Sequence, residues 1–189
     1  MKNHLAIFAS GSGTNADAII SYLTDRKTAE VSLIVTNKTD AGVIQIAKKH
    51  HVPVLVISKE QMFDSVYLLP ELQKHSVNWI ILAGFLLLIP EYLVKAFESK
   101  MVNIHPALLP KFGGKGMYGK HVHQAVLDSK EQQSGISIHF VTEEYDEGKI
   151  IFQAETKIEE GESIETLEKK IHQLEHEHYP VIIEKLVTQ

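Results

Sequence analysis

Trp79-Ile80-Ile81-Leu82-Ala83 is an unbroken apolar run, closed on one side by Asn78 and on the other by Gly84. A run this short, with no polar alternation, reads as a strand buried on both faces. That is the pattern of a parallel sheet covered by helices on each side. The preceding chain repeats the theme. Leu5 to Ala9, Val31 to Thr36 and Val54 to Ile57 read as strands. Between them, Ala16, Ile19, Ile20 and Leu23 recur at helical spacing, and Gly42 to Lys49 and about Gln61 to Lys74 read as helices. Thr14 with Asp17 is expected to cap the first helix, which starts near Asn15. Pro90 suits the first turn of a helix running to about Ser99. Strands alternating with helices predict an α/β fold: an open, doubly wound, mostly parallel sheet with helices on both faces.

After Asn103 the pattern changes to a loop rich in proline and glycine, then a helix near His121 to Leu127. Strands are predicted at Ile136 to Thr142 and Ile150 to Lys157, and Ser163 opens a long terminal helix. Ser163 is expected to cap that helix alone, because Thr166 stands where a capping box takes an acid or amide. No linker, repeat or low-complexity segment interrupts the 189 residues, so one domain is expected over 1–189. Its first half, about 1–100, holds a glycine loop, and the second, about 101–189, holds the other polar motifs.

The net charge of −5 and the lack of a dense basic block argue against a nucleic-acid binder. No apolar stretch is long enough to cross a bilayer, and no export signal precedes the first strand. A cytoplasmic protein is expected. Without cysteine, thiolate chemistry and disulfides are excluded. The sequence leaves monomer and homodimer open.

In open α/β sheets ligands sit beyond the carboxyl ends of the strands. Residues 10–15, 84–89, 103–119 and 142–148 should gather there. Gly11-Ser12-Gly13-Thr14-Asn15-Ala16 fits a loop that presents backbone amides to a phosphate at a helix N-terminus, or a tight turn with no ligand. A dinucleotide site would also need a carboxylate at the end of the second strand, which reads Val35-Thr36-Asn37. Asn103 and His105 stand two apart at a strand end, so their side chains share a face. The amide can donate to an oxyanion and the imidazole can move a proton, or the pair can simply satisfy loop backbone. Asp146, in an acidic turn, is by itself either a solvated residue or a partner for that imidazole. His172 and His176 are four apart on a helix but lack the further convergent ligands of a zinc site, so no metal is expected. His50, His51 and His75 read as solvated helix-end residues.

Four segments occur in order: Gly-Ser-Gly-Thr-Asn at 11–15, Leu-Ala-Gly-Phe at 82–85, Asn-Ile-His-Pro-Ala-Leu-Leu-Pro at 103–110, and Gly-Ile-Ser-Ile-His-Phe-Val-Thr-Glu-Glu-Tyr-Asp-Glu-Gly at 135–148. Together they closely resemble the phosphoribosylglycinamide formyltransferase family, over nearly the whole chain. The resemblance implies a Rossmann-like formyltransferase fold. It implies formyl transfer from 10-formyltetrahydrofolate to the amine of glycinamide ribonucleotide in purine biosynthesis, with no metal. It also implies catalytic roles for Asn103, His105 and Asp146, with a protonated His105 and Asn103 stabilising an oxyanion and Asp146 favouring the imidazolium. The substrate is implied to contact Gly11, Ser12, Gly13, Thr14, Asn15, Pro106 and Glu175. The folate is implied to contact Leu86, Leu87, Leu88, Asn103, Thr142, Glu143 and Asp146, and His139 to support the catalytic residues from behind.

Two departures stand out. Where some relatives have Phe-Met-Arg, this chain reads Phe85-Leu86-Leu87-Leu88, so the folate tail must find its charge elsewhere. The segment from Lys111 to His123 is long and glycine-rich, and is expected to act as a lid. Within the same catalytic core, methionyl-tRNA formyltransferases carry an added C-terminal domain and formyltetrahydrofolate hydrolases an added N-terminal one. Amino-sugar formyltransferases differ in acceptor, and the 11–15 loop favours a phosphorylated ribosyl group. A nucleotide-binding module without catalysis would leave Asn103, His105 and Asp146 idle.

Overall fold

The computed structural model describes residues 3–189. The elements run β1 (Asn3–Phe8), α1 (Thr14–Arg26), β2 (Ala29–Thr36), α2 (Val43–Lys49), β3 (Val54–Val56), α3 (Lys59–Met62), α4 (Ser65–Lys74), β4 (Trp79–Leu82), α5 (Glu91–Ala96), β5 (Met101–His105), α6 (Lys120–Asp128), β6 (Gln133–Phe140), β7 (Ile150–Lys157) and α7 (Ile164–Val187). Among the described residues they form one seven-stranded sheet of order β3-β2-β1-β4-β5-β6-β7. β1 to β5 are parallel, and β6 and β7 join antiparallel. The parallel strands are the apolar runs of the sequence: Leu5 to Phe8, Leu33 to Val35 and Ile80 to Ile81 are buried on both faces.

Each face of the sheet has its own core. On one, Leu5, Ile7 and Ile81 pack with Ala16, Ile19, Val122, Ile171 and Tyr179 from α1, α6 and α7. On the other, Ala6, Phe8 and Ile80 pack with Met62, Leu68, Leu72 and Leu93 from α3, α4 and α5. Alternate residues of one strand serve opposite layers, as period-two side chains must. β1 lies between β2 and β4, so the strand order reverses there and opens a crevice at the carboxyl ends of the two strands.

Local chemistry moves several expected boundaries. The helix predicted over 61–74 is two helices, because Asp64 accepts from the Val66 and Tyr67 amides and starts a second one. The first helix begins at Thr14 on an N-cap Gly13 with no side-chain cap, so the Thr14–Asp17 capping pair does not form. Asp17 instead binds Lys49 and His50 of the neighbouring α2, which also takes His50 out of the class of solvated helix-end residues. Pro90 is the N-cap of a helix that ends at Ala96. Ser163 and Thr166 form a reciprocal cap, since the threonine hydroxyl accepts the Ser163 N–H at 3.1 Å as well as an acid would. No helix among the described residues is long and apolar enough to cross a membrane.

Candidate active site

A cleft of about 750 Å³ opens at the crevice between β1 and β4 and runs past the end of β5. Of the residues expected at a site, Gly11, Ser12, Gly13, Thr14, Asn15, Leu86, Leu87, Leu88, Asn103, His105, Pro106, His139, Thr142, Asp146 and Glu175 all line it. Glu143 does not: it is exposed in the 142–148 turn, outside the lining.

The glycine loop leaves β1 and enters α1 directly. Gly13 has φ 83°, and a Cβ there would lie 2.7 Å from the Val43 Cα, so only glycine lets the loop pass beneath α2. With no side chain capping α1, its first amides stay open toward the cleft, the arrangement an anion needs. Lys38, at the end of β2, adds a cation to the same lining. Nothing in its sequence context marks it. Ser10 ties this loop to the next one: its hydroxyl donates to Asn37 Oδ1 at 2.5 Å and accepts the Leu86 N–H at 3.0 Å. The Leu86 amide is therefore spent inside the protein. The Leu86 and Leu88 side chains stay exposed along the cleft.

Asn103 and His105 end β5, and the antiparallel register places His139 of β6 directly across from Asn103. The His139 Nδ1–H donates to the Phe140 carbonyl at 2.9 Å, and its Nε2 lies 3.1 Å from the Asn103 amide nitrogen and 3.5 Å from Asp146 Oδ1. An Asn103 N–H also reaches toward Asp146 Oδ1 at 3.4 Å, a long contact. Asp146 is brought in by the β6–β7 turn. Its backbone is left-handed, with φ 57°, and its Oδ2 accepts the Gly114 N–H at 2.9 Å. Gly148 closes the turn against β6, where a Cβ would lie 1.6 Å from the Phe140 carbonyl oxygen. Ser137 fixes the chain after His105 by accepting the Leu109 N–H, donating to the Ala107 carbonyl and accepting from Gln153.

His105 is 3% exposed. Its Nε2–H donates to the Phe112 carbonyl at 2.8 Å, and Nδ1 lies 3.5 Å from Asp146 Oδ2. Burial pushes the imidazole below its usual range, and the opposing pulls of Asp146 and the Phe112 carbonyl do not fully offset it. Burial therefore favours the neutral ring at rest. Burial works to raise the Asp146 carboxyl, but its contacts with His139, the field of His105 and the Gly114 N–H outweigh that and hold it below the usual range. An ionised Asp146 and the Phe112 carbonyl give an imidazolium an acceptor on each nitrogen. The site is arranged for His105 to gain a proton and lose it again.

Glu175 of α7 reaches the glycine loop, where the Asn15 amide donates to it at 2.8 Å. Burial lifts its carboxyl above the usual range, against the Asn15 hydrogen bond. Glu168, His172 and His123 stand near it on the cleft wall and carry no sequence motif. No group of three histidine, aspartate or glutamate residues among the described residues is placed to hold a metal ion.

The site thus sets open helix amides beside a buried imidazole that has an acceptor near each ring nitrogen. The chain belongs to the formyl transferase family, whose pattern it matches over residues 3–183. It is 43% identical over 188 residues to the chloroplastic phosphoribosylglycinamide formyltransferase of Arabidopsis thaliana, covering 96% of this chain and 64% of that protein. With the Vigna unguiculata relative, where 62% is covered, the chain thus spans less than two thirds of these plant proteins. The Bacillus subtilis phosphoribosylglycinamide formyltransferase is 36% identical, with 96% of this chain and 93% of that protein aligned. The crystal structure of glycinamide ribonucleotide transformylase 1 from Geobacillus kaustophilus superposes with a TM-score of 0.89 at 38% identity, covering 99% of this chain and all of the other.

Proposed function

We propose that this chain transfers a formyl group from 10-formyltetrahydrofolate to the amine of glycinamide ribonucleotide, with Asn103, His105 and Asp146 as its catalytic residues. The observation that carries the reading is the position of these side chains: Asn103 and His105 each reach toward Asp146, in one cleft with the open amides of α1. The phosphate is held by the amides of Gly13, Thr14 and Asn15, with Lys38 beside them. The folate ring lies along Leu86 to Leu88 and Thr142, on the opposite layer of the sheet. Glu143 takes no part through its side chain.

The neutral amine attacks the formyl carbon, a C–N bond forms, and the carbonyl oxygen becomes an oxyanion. The Asn103 N–H that is only loosely engaged with Asp146 turns to that oxygen. His105 accepts the amine proton at Nδ1, and the resulting imidazolium is stabilised by Asp146 and the Phe112 carbonyl. The same proton then passes to the departing folate nitrogen as its bond to carbon breaks and the carbonyl reforms. Placing both substrates side by side supplies much of the rate, and the donor to the oxyanion is worth about 10²–10³ in turnover.

The test is to mix the protein with both substrates and follow loss of the formyl donor, alongside reactions without acceptor and with His105→Ala. Acceptor-dependent turnover that collapses in the variant is expected. Turnover with a different amine only would move the acceptor assignment, and donor loss without acceptor would replace transfer by hydrolysis.

A further inference from the structure

His123 is a buried histidine that the catalytic scheme leaves unused. It sits on α6 between Val122 and Val126-bearing turns that face the core, and is 2% exposed. It also lines the cleft, yet its Nδ1 has no hydrogen-bond partner. An imidazole that served only to fill the core would be expected to find a protein acceptor or donor, because an orphaned buried polar atom is costly. The same wall holds a second orphan, the Asn15 Oδ1. That amide spends its N–H on Glu175 at 2.8 Å, which leaves the oxygen facing no donor. Glu168 and His172 complete the wall.

Position narrows what could fill these valences. The wall is built on α1, α6 and α7, which pack on the sheet face opposite the layer that carries Phe85 and Leu87. It is therefore on the side of the glycine loop and of the acceptor, away from the apolar lip assigned to the folate. Between a phosphate on the loop and an amine at His105, the acceptor carries a sugar. Hydroxyl groups both donate and accept, so they satisfy an acceptor-only amide oxygen and an imidazole in either tautomer. A phosphate in this position would face Glu168 and Glu175 and be repelled.

Resting on the formyl-transfer reading, we infer that His123 is a positioning residue for the acceptor, hydrogen-bonded to a hydroxyl of its sugar. Burial lowers the basicity of this ring, with the charge of Glu168 opposing, so it acts as a neutral hydrogen-bonding group.

The experiment compares wild type with His123→Leu, which keeps the volume and removes the polar atoms, and His123→Gln, which restores a hydrogen-bonding side chain. Turnover is measured against each substrate separately, with thermal melting as the folding control. Loss of one buried hydrogen bond predicts a rise of about tenfold in KM for glycinamide ribonucleotide in His123→Leu. The KM for the folate and kcat should stay within about threefold, and His123→Gln should recover much of the loss. Titration calorimetry with glycinamide ribonucleotide alone gives the same comparison without turnover. Unchanged acceptor affinity in a folded His123→Leu overturns the inference while leaving formyl transfer intact. An equal loss for both substrates, tracking a lowered melting temperature, also overturns it by making the role structural. Wild-type protein that neither binds nor formylates this acceptor overturns the underlying reading as well.

Discussion

Replacing Asp146 by asparagine changes one charge and almost no volume. The amide oxygen can still accept the Gly114 N–H that holds the turn. What disappears is the anion 3.5 Å from His105 Nδ1. Two unit charges at that separation, in a partly buried setting of effective dielectric about 20, attract by about 5 kcal/mol. The Phe112 carbonyl remains, and water relaxes around the new amide, so about 3–4 kcal/mol of that is expected to appear in the barrier. This corresponds to a fall of roughly 10²–10³ in kcat. The sign of the pH effect follows from the same charge. His105 must be neutral to take the amine proton, so activity rises with pH through its pKa, which lies below 6.5 because burial dominates. Asp146 opposes that shift, so Asp146→Asn lowers the pKa further and moves the acid limb of kcat/KM to lower pH. The assay is steady-state loss of the formyl donor from about pH 5 to 9, with melting curves to show that the variant is folded. A folded Asp146→Asn enzyme within about threefold of wild type, or an acid limb that moves to higher pH, would refute the reasoning.

Gly13→Ala forces a left-handed alanine against Val43, which should cost more than about 1–2 kcal/mol, lower the melting temperature and raise the acceptor KM. Glu175→Gln should weaken acceptor binding yet stabilise the fold. The Glu175 carboxyl is raised above 4.5, so wild type loses stability as pH rises from the unfolded value through the folded one. The excess stability of Glu175→Gln should be absent near pH 4 and grow above it, read by denaturant melts across pH. Ser137→Ala strands the Leu109 amide and the Ala107 carbonyl at about 1–3 kcal/mol. It should lower kcat more than either KM, because it loosens the chain that carries His105.

The sheet was legible in the sequence because strands buried on both faces are apolar throughout, and Asn103 with His105 because two residues along a strand share a face. The rest depended on distant pairing. Nothing near His139 announces that it stands across from Asn103; only the β5–β6 register does. The Phe112 carbonyl that fixes the His105 tautomer is backbone, and backbone carries no residue signature. A histidine between Val122 and Val126 on an apolar helix face reads as core, and its orphaned nitrogen shows only in the packed molecule. The single helix expected over 61–74 failed because Asp64 was read as interior when it is a cap.

The sheet is also a partition. On the proposed reading, the acceptor's seat is rooted in the layer of α1, α6 and α7, the donor's lip in the layer of α3, α4 and α5, and the strands that separate them end in the reacting groups. Changes within one core layer share no packing partners with the other, so their energetic effects add, and Ser10, which ties the glycine loop to the Leu86 amide, is the link between the two sides. A lineage can therefore remodel which amine is accepted while its grip on the one-carbon donor is inherited untouched, and the proton-transfer machinery on the seam serves either version.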